Sequence, residues 1–140
     1  MTTSTALPAA ATARERVIAT GCAALGILSL LTAAAMTVDP AGFLGEVGGF
    51  GAVNEHLVRD VATWSATLGA ALLVAARLAA WRVPILAFAV LQGVLHMVNH
   101  VFDAGIAEPG WKGWATVGLL AGITLVTAWL LIAAQREERA

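Results

Sequence analysis

The chain has 140 residues, of which 59% are hydrophobic and 12% charged, with a mean hydropathy of +0.82 and a formal net charge of −1. That is about half the charge of an ordinary soluble domain, where about 25% is usual, too little to coat a water-soluble globule and too apolar a composition for a disordered segment. The small net charge, without a basic block, excludes a nucleic-acid footprint, and the single cysteine, Cys22, excludes an internal disulfide and a C-x-x-C redox pair.

In chain order, residues 1–16 are Thr/Ala-rich, with Arg14 and Arg16 at their end, and read as a disordered cytoplasmic segment. Residues 17–38 form the first of four stretches that suit the about 20 apolar residues a helix needs to cross a bilayer. This stretch carries no charge. It is longer than the about 7–15 residues of a signal h-region and is read as a retained span, with Cys22 as a small apolar helix residue rather than an acylation site. Asp39-Pro40 ends it, because proline cannot continue a helix and disfavours it just before. Residues 39–56 are the one long connection. Their glycine-rich stretch, Gly45 to Gly51, reads as a flexible or re-entrant loop and lacks the spacing of a phosphate cradle.

The second span covers 57–80, with Arg59, Asp60 and Arg77 at its ends, where long cations reach the interface. Trp81-Arg82-Val83-Pro84 marks a tight turn into the third span, 83–102. Pro109-Gly110-Trp111-Lys112-Gly113-Trp114 breaks the chain again and supplies belt tryptophans before the fourth span, 113–134. Residues 135–140 are a short charged tail. Gly118-x-x-x-Gly122 is a small-residue face for helix packing within the chain or for a homodimer. Trp64, Trp129 and Met97 read as packing residues.

The fold class that follows is an all-α, four-span transmembrane bundle running up-down-up-down. Lysine and arginine set its orientation. Arg14, Arg16, Arg77, Arg82, Arg136 and Arg139 lie on one side, and only Arg59 and Lys112 on the other. The positive-inside rule puts both termini in the cytoplasm of a cell and the acidic side, from Asp39 to Glu108, outside.

Polar groups inside so apolar a chain are costly, and their placement carries the functional information. Asn54, Glu55, His56, Arg59 and Asp60 lie at the outer end of the second span. Gln92, His96, Asn99, His100 and Asp103 step along one face of the third toward the same end. His96 sits about 9 Å below Phe102 at 1.5 Å per residue. Three uses compete. The first is a structural network that locks spans two and three together through interhelical hydrogen bonds worth about 0.6–2 kcal/mol each. The second is a metal ion held by His56, His96, His100, Asp60 and Asp103, or a haem b between His56 and one of the other histidines. The third is an outward-facing site for a small molecule or a proton. The first is preferred. Ser29 and Ser65 have no triad motif around them, and the acid-free first span does not suit a small multidrug exporter, so the chain is not read as an enzyme or an exporter of that type.

The segment Asn54 to Asp60 together with His96-x-x-x-His100 resembles a group of small actinobacterial four-helix membrane proteins, loosely similar to DoxX-like proteins. The Ala-rich, Arg-over-Lys composition suits a high-GC bacterium. The resemblance implies a four-helix bundle and transfers no catalytic residue.

Overall fold

A computed structural model describes residues 12–47 and 51–139. The first helix, α1 (Ala13–Val38), starts where Thr12 and Glu15 form a reciprocal capping box: the Thr12 hydroxyl accepts from the Glu15 amide at 3.1 Å and the Glu15 carboxylate accepts from the Thr12 amide. Residues 13–16, expected to be disordered, are therefore helical. The rest of that expectation, residues 1–11, lies outside the described residues.

Asp39-Pro40 ends α1 as expected and also begins a helix. The Asp39 carboxylate accepts from the Gly42 amide at 2.9 Å, and proline takes the first helical position, where its missing N–H costs nothing. The result is α2 (Pro40–Val47), so residues 45–47, expected to belong to a flexible or re-entrant loop, are helical. Gly48, Gly49 and Phe50 lie outside the described residues.

Asn54 then caps α3 (Glu55–Arg77), its side-chain oxygen accepting from the Leu57 amide at 3.1 Å. A single 3-10 turn (Ala79–Trp81) reverses the chain into α4 (Arg82–Asp103), and α5 (Gly110–Glu138) completes the fold. The segment 135–138, expected as part of a solvated tail, continues α5 instead. The four long helices have the length and hydropathy to cross a membrane, and no strand occurs among the described residues.

The helices associate as two hairpins, α1 with α3 and α4 with α5. Glycine makes the first crossing possible. A Cβ on Gly26 would lie 2.9 Å from the Gly69 carbonyl oxygen, and one on Gly69 would lie 2.8 Å from that of Gly26. The two backbones thus touch, as small residues permit between membrane helices. In the second hairpin, Gly93 of α4 faces the Thr124 hydroxyl of α5, which a Cβ would approach to 2.6 Å.

The hairpins meet in an apolar core of Ile18, Cys22, Leu72, Ala75, Leu86, Leu130 and Ala134, contributed by all four long helices at the end of the bundle where α1 begins and α5 ends. Inner names this end of the bundle and outer the opposite one, as labels only. At the opposite, outer end a smaller cluster, Ala33, Met36, Val58 and Ala62, belongs to α1 and α3 alone, with Phe43 and Leu44 of α2 against it. Here α2 links the hairpins. The Gly45 carbonyl accepts from Lys112 Nζ and the Val47 carbonyl from Thr116 Oγ1, both at 2.7 Å.

Candidate functional site

On α3, helical spacing brings the expected polar residues together in pairs along one helix. Arg59 Nη2 donates to Glu55 Oε2 at 2.9 Å, and His56 Nε2 lies 3.5 Å from Asp60 Oδ2. The His56 and Asp60 side chains are 87% and 63% exposed, so this set faces away from the bundle interior. Thr63 and Thr67 turn their hydroxyls back onto the carbonyls of Asp60 and Thr63, satisfying them locally, as hydroxyls in apolar helices do. Asn54 serves as the helix cap.

The α4 set behaves differently. His96 and His100 are half-buried, and their Nε2 atoms stand 3.1 Å apart. At that distance one ring donates and the other accepts, which requires complementary tautomers. Asn99 is exposed, and Asp103 lies one turn beyond at the end of the helix. In the other direction, His96 and Gln92 line a cavity of about 70 Å³. Ser29 from α1 and Thr124 and Thr127 from α5 supply its other polar groups, and Leu25, Leu68 and Leu72 complete the wall. Both threonines donate within their own helix, to Leu120 and Ile123, at 2.8 Å. Their hydroxyl oxygens keep lone pairs for a guest.

The polar stripe of α4 therefore looks toward α5 and the bundle interior, whereas that of α3 looks outward. The contacts described run along single helices and do not make the lock between spans two and three that the sequence suggested. The reason is the pairing of the helices: α3 spends its close-packing face on α1 through Gly69. Nor do the residues fit the expected metal set. Among the described residues, no three of His, Cys, Asp and Glu gather closely enough to hold a metal ion. His56, turned to Asp60 on the exposed side of α3, is not in place as the bridging ligand of a haem b.

Gly118 and Gly122 also depart from the intrachain expectation, since a Cβ on either would meet no atom within 4 Å. Trp64 does pack, against Phe88 with ring centroids 5.6 Å apart. Two features escaped the sequence reading. The threonines Thr124 and Thr127 at helical spacing were a usable signal for an interior polar face. The ion pair between Arg82 Nη1 and Glu137 Oε2, at 3.1 Å, joins residues that each look like an ordinary span-end charge, and nothing local marks them as partners.

Fold and site together define a bundle of four helices of membrane-spanning type with a small, partly polar cavity beside a histidine pair. No protein-family model, curated protein or solved structure matches the chain.

Proposed function

We propose that the protein is a multi-pass plasma-membrane protein with both termini cytoplasmic, and that its working centre is the stripe Gln92–His96–His100, which takes a proton or a small polar molecule from the outer side. The observation that carries this reading is the 3.1 Å imidazole pair set against a cavity lined by Gln92, Ser29, Thr124 and Thr127. A cavity with several polar partners has the character of a hydrated one, and histidine is the side chain whose proton moves most readily near neutral pH. Ionisable groups inside a membrane bundle mark pathways and sites. The wider kinship of this reading is with the small actinobacterial, loosely DoxX-like four-helix proteins, on the two polar motifs alone.

The test uses the protein in nanodiscs with histidines labelled at the ring nitrogens. If the pair shares a proton, His100→Ala changes the His96 ring-nitrogen shifts and its titration. In proteoliposomes carrying an internal pH dye, the wild type dissipates an imposed pH gradient faster than empty vesicles, and His96→Ala does not. A His96 spectrum indifferent to His100→Ala, together with no flux above empty vesicles, would leave the stripe a structural role.

That structural role is the second reading, and the close approach of Gly93 to Thr124 favours it for α4 and α5. Under it, Gln92 and His96 hold these two helices together, and Gln92→Leu lowers the melting temperature without any change in proton movement. The open glycines of α5 support a homodimer as the partner within the bilayer.

A further inference from the structure

The inner end of the bundle is closed by a contact in which the histidine site plays no part. Arg82 opens α4, yet its side chain is only 10% exposed. Nη1 donates to Glu137 Oε2 at 3.1 Å, 55 residues further along near the end of α5, and Nε donates to the Ala75 carbonyl at 3.4 Å in the last turn of α3. One guanidinium therefore ties three helices. Directly beneath it lies the four-helix core that holds Cys22, Leu72, Leu86 and Leu130. At the outer end the hairpins are tied only through the short α2: Lys112 Nζ donates to the Gly45 carbonyl and lies 3.9 Å from the exposed Glu46 carboxylate, Thr116 donates to the Val47 carbonyl, and the other ion pairs, Glu55–Arg59 and His56–Asp60, stay within α3.

A buried ion pair differs from an apolar contact in being conditional. Intact, it roughly balances its own desolvation, but with one partner gone the other is a stranded charge that must find water. The carboxylate is also only half satisfied, because Glu137 Oε1 is buried with no hydrogen-bond partner, and that lowers the cost of release.

We infer that Arg82 and Glu137 form an inner latch. Engaged, it seals the end of the bundle where α1 begins and α5 ends over the core around Cys22, so that the interior communicates with the outer end alone. Released, it lets the last turns of α5 move away from α3 and α4 and opens that core from the inner side. The latch stands whether or not the histidine stripe moves protons.

The only cysteine of the chain reports on it directly. Cys22 is fully buried, and in native membranes it is expected to resist a membrane-permeant maleimide. Glu137→Gln and Arg82→Met each raise its labelling rate by at least about tenfold, as expected for a local opening. A second reporter, Ser29→Cys in a Cys22→Ala background, sits beyond the core on the cavity. Its rate changes by less than about threefold in Glu137→Gln, which separates opening at one end from general loosening. Full protection of Cys22 in both single variants overturns the inference. So do equal gains at the two reporters.

Discussion

Two imidazoles whose Nε2 atoms meet at 3.1 Å cannot both be charged without losing their bond, since each imidazolium nitrogen is a donor. The contact therefore needs one ring to donate and the other to accept, a condition neither His96 nor His100 meets alone. Glycine makes the sharper prediction at this scale. Gly69→Ala forces a methyl to 2.8 Å from the Gly26 carbonyl oxygen, and with backbone on both sides neither helix can yield by turning a side chain. The variant is expected to lose about 1–3 kcal/mol, the usual cost of overpacking, in reversible unfolding from mild detergent into SDS. Gly45→Ala, where a Cβ meets nothing within 4 Å, serves as the comparison and should stay within about 0.5 kcal/mol of wild type, the range of surface substitutions. The histidines were legible as candidates from their spacing alone. Their partner was not, because helical spacing says which residues share a face but not which neighbouring helix that face meets.

Among the elements, α2 carries the clearest consequence. An eight-residue helix is too short to persist by itself, and it holds through its Asp39 cap, Phe43 and Leu44 against the outer cluster, and the two bonds from α5. Removing the latter in Lys112→Met/Thr116→Val should speed hydrogen exchange over residues 40–47 by roughly 5–30-fold, taking about 1 kcal/mol for each bond, with α3 exchange unchanged. Equal acceleration in α3 would show that α2 is not held independently. On α5 the open face of Gly118 and Gly122 leads to a different expectation. Gly118→Leu and Gly122→Leu should abolish energy transfer between differently labelled copies in liposomes while leaving the melting temperature of the monomer within about 2 °C. Persistent transfer in both variants would place any dimer elsewhere. The four long helices were legible from charge and proline, but their ends were not: α1 begins at Ala13, α3 stops at Arg77 and α5 runs on to Glu138. The helix after Asp39-Pro40 was not read, because its glycines suggested a loop and the capping carboxylate was taken only as an end signal.

For the whole molecule, the orientation is the proposal with the simplest check. In a Cys22→Ala background, Glu46→Cys should react with an impermeant maleimide added outside intact cells, and Gln135→Cys only after permeabilisation. The reverse pattern would invert the positive-inside assignment and with it the side from which the cavity is served. The bundle as a whole was legible because bilayer thickness dictates span length. Its pairing scheme was not, because it depends on where glycines on different helices meet, a relation that exists only between segments far apart in the chain. The sequence reading looked instead to the polar residues of 54–60 and 92–103 to bring spans two and three together, whereas the contact described between those spans is apolar, Trp64 against Phe88.

The pairing of neighbours, α1 with α3 and α4 with α5, also bears on how the protein is made. Each hairpin consists of spans consecutive in the chain, so the first can close at Gly26 and Gly69 while the second is still being synthesised. Only the final step, the meeting of hairpins around Cys22, Leu86 and Leu130, waits for the last helix. Chains rich in such nearby pairings assemble without long-range searches. The turn at Ala79–Trp81 is then a seam between two halves. Co-expressed as separate fragments divided there, the halves are expected to find one another in the membrane and co-purify.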